Sequence, residues 1–327
     1  MSTSGTVKTT VINTDKVITH AIRRCGLAPT SITTESIDIA KDNLYLILLS
    51  MANVGINLWL IENKFVGLKE NQGTYVLPIG TTNLLNLQIV RPTIAVGTET
   101  VASNFITKEF DNSIIVEVFG FNLKSTLAGN VITFEKSDDG LTWETVQQIN
   151  ADDYQLETNY WFKLEPQSQA TFFRLIGTLD FEVNNFKLST ASYSIPIFPY
   201  SRDDYYSLSN HGIKTGLPTN YYYQKHIDPQ VTLWPIPNNG NNYLSTVCQR
   251  QIQDIGKLTE EIEVPERWKE GIVWSLAKRL AFELPGVSSE RLALIGAEEA
   301  AALSDISIGE TDGTSLRILP SISRYTR

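Results

Sequence analysis

Apolar residues recur at helical spacing near both ends of the chain, while the middle is built of short apolar runs broken by turn residues. Val17, Ile18, Ala21, Ile22 and Cys25 form one stripe. They predict a helix over 14–25, capped by Asn13 or Thr14, with Asp15 in its first turn and Gly26 as a left-handed stop. Ile37, Ala40, Leu44, Ile47, Leu48, Met51 and Leu58 predict a second, long helix from about Glu35 to Ile61, so the chain opens on a helical hairpin. Within it, Leu44 to Ile61 is apolar enough to resemble a membrane span. Ser50, Asn53 and Asn57 share one face, however, which fits a buried core helix with one wet or contact side.

After Glu62 the period changes from helical to strand-like. Phe65–Leu68, Tyr75–Leu77 and Leu84–Val90 are short apolar runs divided by Gly67, Asn71-Gln72-Gly73, Pro78 and Gly80, and Arg91-Pro92 ends the block. From about Ala95 to Ile195 six strands are expected: Ile114–Phe119, Asn130–Lys136, Trp143–Gln148, Tyr160–Leu164, Thr171–Ile176 and Phe186–Ser189. Turn signals fall at Gly120-Phe121-Asn122, Asp138-Asp139-Gly140 and Glu165-Pro166. That many short strands in about 100 residues predicts a β-sandwich or jelly roll. Residues 196–264 are mixed, with a helical turn at Asp203–Leu208 and strands at Tyr221–Gln224, Val231–Trp234 and Tyr243–Gln251. A helix starts at Pro265, carries Trp268, Ile272, Val273, Leu276, Ala277, Leu280, Ala281 and Leu284, and stops at Pro285-Gly286. Another spans about Ser288–Leu303. From Ser307 onward the helical period is gone and an extended arm is expected.

Composition bounds the class. The chain has 327 residues, 42% of them apolar and 19% charged, which excludes whole-chain disorder and suggests two or three domains. The net charge is −9, from 27 Lys and Arg against 36 Asp and Glu, which disfavours an obligate nucleic-acid binder. That acidity is local. Segment 95–195 has fourteen carboxylates and six cations, a net of −8, while the rest of the chain is near −1 and Thr314–Arg327 carries +3. Cys25 and Cys248 make no disulfide framework; free thiols fit a reducing compartment, with a single remote pair left open. The polar N-terminus shows no signal peptide.

Motifs for catalysis are missing. No phosphate-cradling loop, dinucleotide fingerprint or nucleophile elbow occurs, and Gly212-Ile213-Lys214-Thr215-Gly216 lacks the spacing of a phosphate loop. His20, His211, His226, Cys25 and Cys248 show no zinc spacing, so neither a metal nor a cofactor is expected. Acidic pairs such as Asp152-Asp153, Asp203-Asp204 and Glu260-Glu261 read as solvated surface. The chain is therefore expected to be no enzyme. Tyr221-Tyr222-Tyr223 near Tyr205-Tyr206 has few interleaved cations, which fits strand faces at a protein interface better than base stacking. Asp138 and Asp139 with Trp143 mark a tight hairpin. They are also, with Tyr160 and Trp161, the candidate ligand or partner contacts of the β region, through a stacking platform of Trp143, Trp161 or Tyr160.

Several short motifs carry a family resemblance. Arg24-Cys25-Gly26-Leu27-Ala28-Pro29 between two helices, then Gly73-Thr74-Tyr75-Val76-Leu77-Pro78, then Gly216-Leu217-Pro218-Thr219-Asn220-Tyr221 with Val231-Thr232-Leu233-Trp234-Pro235-Ile236-Pro237, then Glu263-Val264-Pro265-Glu266-Arg267-Trp268 leading into Leu276–Ala281. In order and spacing these resemble the head-to-tail adaptor family of short-tailed bacteriophages, also called tail tubular or gatekeeper proteins. The match covers roughly 14–92 and 196–305. The departure is 95–195, where Ser137-Asp138-Asp139-Gly140-Leu141-Thr142-Trp143 is similar to galactose-binding-like and discoidin-like jelly rolls.

The resemblance implies an α+β fold: a discontinuous helical adaptor domain with short β segments (1–94 and 196–306), an inserted all-β, jelly-roll-like sandwich (95–195) and a C-terminal arm (307–327). It implies a structural virion protein at the portal–tail junction, assembled in the host cytoplasm. There it would form a ring of twelve copies between the portal and the tail nozzle protein, with DNA passing through the lumen unbound. The arm's Leu316, Ile318, Leu319 and Ile322, with Arg317, Arg324 and Arg327, would bind the portal, and the β-domain would receive tail fibre or other virion proteins. A different class, a carbohydrate-binding module on a helical scaffold, is the alternative.

Overall fold

The computed structural model describes residues 12–28, 33–51, 60–78, 80–210, 212–253 and 256–309. Two helices come first, α1 (Thr14–Arg24) and α2 (Thr34–Met51). Ten strands follow: β1 (Ile61–Gly67), β2 (Thr74–Val76), β3 (Thr81–Ile94), β4 (Thr98–Val101), β5 (Phe105–Thr126), β6 (Val131–Ser137), β7 (Glu144–Asn150), β8 (Asn159–Gly177), β9 (Phe181–Pro196) and β10 (Phe198–Tyr200). A short helix α3 (Arg202–Ser207) precedes β11 (Thr215–Gly216), β12 (Asn220–Gln224), β13 (Gln230–Trp234), β14 (Ile236–Pro237) and β15 (Tyr243–Arg250). The described elements end with helices α4 (Glu266–Glu283) and α5 (Ser289–Gly309). The protein is thus mostly β, with helices contributed by both ends of the chain.

These elements form two compact units, one from 1–60 with 251–327 and one from 61–250. The first is helical. Its core is the predicted stripes: Val17, Ile18, Ala21 and Ile22 of α1, Leu44, Ile47 and Leu48 of α2, and Ile272, Leu276 and Leu280 of α4 are all buried together, with Ile295 of α5. Asn13 caps α1 through its side chain on the Lys16 amide at 3.2 Å, and Gly26 stops it at φ +83°. The amides of Thr14 and Asp15 donate to the carbonyls of Glu260 and Leu258, both at 3.0 Å, so the two ends of the chain are joined by backbone. Helix α5 continues to Gly309, so Ser307–Gly309, expected to open an extended arm, are helical, and 310–327 lie outside the described residues. Helix α2 is described to Met51 and residues 52–59 lie outside the described residues, but the long helix does not reach Ile61 as expected, because Ile61 opens β1.

The second unit is all sheet apart from α3 and a single 3-10 turn. Among the described residues, nine strands form one antiparallel sheet in the order β1-β15-β3-β9-β5-β8-β6-β7, with β4 on β5. A second sheet runs β10-β12-β13-β2. Phe119, Phe134, Phe173, Leu175, Phe186 and Leu188 lie at the heart of one core, where Phe119 stacks on Phe134 at 4.1 Å. Leu87, Ile89, Val231, Leu233 and Leu244 centre another.

Several expectations are corrected here. The boundaries at 94/95 and 195/196 are not unit boundaries, because β3 ends on the first, β9 crosses the second, and Arg91–Ile94 pairs with Ser189–Tyr193. Beyond Val90 the ladder between β15 and β3 has ended and β9 holds β3 from one side, so Pro92, which lacks an amide donor, is tolerated there. The segments 61–94 and 196–250 therefore belong with the β region rather than with the helices. The strands are also longer than their apolar runs. Gly120-Phe121-Asn122 is not a turn but the middle of β5, where a Cβ on Gly120 would sit 2.6 Å from the Trp161 ring. Glu165-Pro166 does not separate two strands; it lies within β8.

Close backbone approach makes a sharp prediction. A Cβ on Gly67 would lie 2.0 Å from the Asn159 carbonyl oxygen, so Gly67→Ala must displace β1 from β8. It is expected to destabilise the protein by about 1–3 kcal/mol, read from urea unfolding.

Candidate functional site

The β8 irregularity builds the main concavity. Val116 of β5 pairs with Ser168 and Val118 pairs with Lys163, so Leu164–Gln167 is extra chain opposite one residue, Glu117. The bulge turns these residues out of the ladder. They border a groove of about 1090 Å³ on one side and a pocket of about 520 Å³ on the other.

The larger groove is walled by Asn63–Gly67 of β1, Glu144–Gln147 of β7 and Asp153–Gln155, with Tyr160–Ser168 of β8 as its floor. Its charges cancel locally: Lys136 pairs with Glu144 at 3.3 Å, Lys163 pairs with Glu165, and Lys64 pairs with Glu62 at 2.7 Å. What remains, apart from the Asp153 carboxylate, is amide and hydroxyl, with Asn63, Gln147, Gln155, Asn159, Gln167, Thr145 and Thr158 on the rim. In the smaller pocket Glu117 accepts from Gln167 at 2.9 Å and from Ser192 at 3.5 Å. Burial, with Glu117 close by, pushes the Tyr243 phenol up to about 12. The groove walls can hold a polar ligand by hydrogen bonds, while the smaller pocket carries the Glu117 carboxylate, bonded to the neutral Gln167 and Ser192.

The five residues singled out by sequence separate into two places. Asp138, Asp139 and Trp143 sit in the loop between β6 and β7. Tyr160 and Trp161 open β8 and line the groove. The Asp139 carboxylate accepts from the Leu141 and Thr142 amides, both at 2.8 Å, and from the Thr142 and Ser137 hydroxyls at 2.7 and 2.9 Å. Those donors, the Thr142 amide first, hold its carboxyl well below the usual range. Asp138 is exposed beside it. Arg174, held by Glu135 at 2.6 Å, lies over the Trp143 ring at 3.9 Å.

Trp161 is corrected as a stacking platform. It is 5% exposed and stacks on Tyr243 at 5.0 Å, so its surface is spent in the core. Tyr160 is half-buried. Its hydroxyl accepts from the Gln155 amide at 2.7 Å and donates to the Gln155 carbonyl at 3.1 Å. The smaller pocket was not legible in sequence: Glu117, Gln167, Ser192 and Tyr243 come from four strands and share no local motif.

The motif-bearing segments converge as well. Thr74, Tyr75 and Val76 pair with Thr232, Val231 and Gln230, and the Leu233 amide donates to the Gly73 carbonyl at 2.8 Å. Gly216 pairs with Pro237. The Tyr75 hydroxyl accepts from the Lys69 amide at 3.0 Å and faces the Gln72 carbonyl at 2.9 Å. Of the tyrosine cluster, Tyr221 is buried, while Tyr222 stacks on Tyr205 at 5.3 Å.

Leu316, Arg317, Ile318, Leu319, Ile322, Arg324 and Arg327 lie outside the described residues. Cys25 and Cys248 are buried and free. Among the described residues, no group of three or more His, Cys, Asp or Glu side chains could hold a metal ion, and no helix is long and apolar enough to cross a membrane.

No protein-family model matches the chain, and no curated protein matches it. Solved structures do. The C-terminal domain of a chitobiase from Bacteroides fragilis is 16% identical over 28% of this chain and 64% of its own length, with a TM-score of 0.22. CpGH89CBM32-6 produced by Clostridium perfringens is 14% identical over 40% of this chain and 94% of its own, with a TM-score of 0.23. A rhamnosidase from Novosphingobium sp. PP1Y is 13% identical over 75% of this chain and 28% of its own, with a TM-score of 0.24. TM-scores of this size do not establish a shared fold.

The Asp139 loop yields a pH prediction. A carboxyl whose folded pKa is depressed contributes stability above the unfolded value, about 3.9, and loses it as pH falls through the folded one. The Thr142 amide resonance should therefore keep its native position through the ordinary aspartate range and shift only at lower pH. In Asp139→Ala the native position should be absent throughout.

Proposed function

We propose that this chain is a structural virion protein of the head-to-tail adaptor class, forming a ring between portal and tail around the DNA path. One observation carries the reading. The segments that resemble the family's "Tyr-x-Leu-Pro" and "leucine–aromatic–Pro-x-Pro" signatures lie about 150 residues apart in the sequence, yet they are hydrogen-bonded neighbours through Tyr75 and Val231. Motifs chosen for their order in the sequence thus meet in space, as parts of one inherited unit would. The joining of both chain ends in one helical unit supports the same reading.

On this reading the activity is assembly rather than turnover. The helices build the ring wall, twelve copies close it through heterologous contacts, and residues 310–327 engage the portal through their leucines, isoleucines and arginines. The part of the sheet unit around the buried cluster of Phe119 and Phe134 receives fibre or other virion proteins. The test is negative-stain microscopy of the full chain mixed with its portal. Closed rings seated on the portal are expected, and deletion of 310–327 should leave a folded chain that no longer binds. Failure of the full chain to form rings with the portal would sink the reading.

A second reading, glycan binding, is favoured by the groove. Tyr160 lines it beside Gln147, Gln155, Asn159 and Gln167, a neutral hydrogen-bonding rim of the kind a polyol needs. The full chain on a glycan array should then give specific signals that Tyr160→Ala lowers about tenfold, the size expected when one aromatic contact is removed. A blank array discards this reading and leaves the first untouched.

A further inference from the structure

The helical unit holds a cluster of cations that the adaptor reading does not use. His20, Arg23 and Arg24 lie on the last turns of α1, at spacings that put them on one face. Together with Arg291 of α5, and with Trp274, Leu294 and Ile295, they line a pocket of about 240 Å³. The Arg24 guanidinium lies over the Trp274 ring at 3.9 Å. Its Nη2 reaches Glu270 at 3.4 Å, a carboxylate that is itself 70% exposed. Its Nη1 is buried without a hydrogen-bond partner among the described residues. Arg291 is fixed from the other side. Its Nε donates to the Arg24 carbonyl at 2.9 Å, and its guanidinium passes over Gly26, where a Cβ would stand 3.7 Å away.

Part of this is ordinary helix chemistry. Cations suit the C-terminus of α1, and Arg291 satisfies one of its free carbonyls. That accounts for the Arg291 Nε and leaves its terminal nitrogens, the Arg24 Nη1, and the nearby Arg23 and His20 unexplained. Three guanidiniums thus line one pocket, and of them Arg24 alone reaches a carboxylate, the largely exposed Glu270, among the ion pairs of the described residues, which leaves a local excess of positive charge that an anion would neutralise.

We propose that this pocket binds a phosphate group. A guanidinium presents two parallel donors to a tetrahedral oxyanion, and a phosphate has enough oxygens to take several such forks at once, whereas a single carboxylate would leave two cations uncompensated. Trp274 orients Arg24 from behind, Arg291 is oriented by the α1 carbonyl, and Arg23 and His20 close the mouth. The shared chemistry is that of a phosphate monoanion or dianion, free or as a nucleic-acid phosphodiester. It stands whether or not the chain is a virion protein.

The experiment titrates the full chain with inorganic phosphate by calorimetry, at constant ionic strength, with acetate as the carboxylate control. One-site binding of phosphate and none of acetate is expected. Arg23→Gln is the informative variant. Arg23 is exposed and its change leaves the packing alone, so it should weaken phosphate about tenfold, as removal of one charged hydrogen bond does. Arg291→Gln should abolish binding, with circular dichroism confirming that the helices persist. Competition by a short DNA duplex assigns the physiological source to a phosphodiester; binding without competition assigns it to free phosphate. No phosphate binding, equal binding of acetate, or an unchanged affinity in Arg23→Gln would overturn the proposal.

Discussion

The amides that open α1 donate to carbonyls near residue 260, and much of the architecture follows from that exchange. A helix start leaves its first amides without intrahelical partners. Here Thr14 and Asp15 satisfy theirs on Glu260 and Leu258, the Thr14 hydroxyl adds a bond to Glu260 at 2.9 Å, and Asn13 bridges Glu261. Everything between is consequently a closed loop of chain. Its outgoing and returning strands, β1 and β15, are paired over their whole length from Ile61 with Gln249 to Gly67 with Tyr243. The helical unit is thus made of both chain ends, and the sheet unit of one uninterrupted segment. A closure across nearly 250 residues costs only a few kcal/mol more in loop entropy than a short one, because that cost grows logarithmically with length. Buried ladders and helix packing offset it.

Within the sheet unit, shape is set by the places where regular pairing is broken. The bulge at Leu164–Gln167 opens cavities on both of its sides. Gly67 and Gly120 act in the opposite sense, removing a side chain so that β8 can be approached closely: by the β1 backbone at Asn159, and by the Trp161 ring under β5. The side chain of Asn159 then joins β1 to β5, donating to the Leu68 carbonyl at 2.7 Å and accepting from Asn122 at 3.0 Å. A regular sheet would offer neither the cleft nor the pocket.

Legibility in the sequence followed the range of the forces involved. Helices α1 and α4 were readable because a 3.6-residue stripe, a cap and a terminating glycine are all local. The same holds for β12 and β13, where apolar runs and prolines bracket each strand. The long strands were truncated in prediction because their ends are held by partners far along the chain: β5 continues past Phe119 only because β8 and β9 flank it. Glycine and proline misled for the same reason. Gly120 answers a ring from another strand and Pro166 a bulge, and neither reason is written in its neighbours. Asp139 was legible as a turn, since its donors lie within three residues. Trp161 looked like a platform because sequence does not say which aromatic residue is buried.

Charge ties the two units to different chemistry. The segment 95–195 carries nearly all of the chain's negative balance, and around the groove Lys136 and Lys163 are each paired with a carboxylate, leaving mainly amides and hydroxyls besides Asp153. The helical unit holds 14 Lys and Arg against 17 Asp and Glu, a net of −3, yet it gathers three arginines about one small pocket. A uniformly acidic protein would repel every polyanion, and a uniformly basic one would grip DNA along its whole surface. Separating the acidity of the sheet unit from a single cationic pocket in the helical unit permits a polyanion to be met at one point and otherwise passed by. On the proposed adaptor reading, such a distribution suits a protein that surrounds DNA without gripping it.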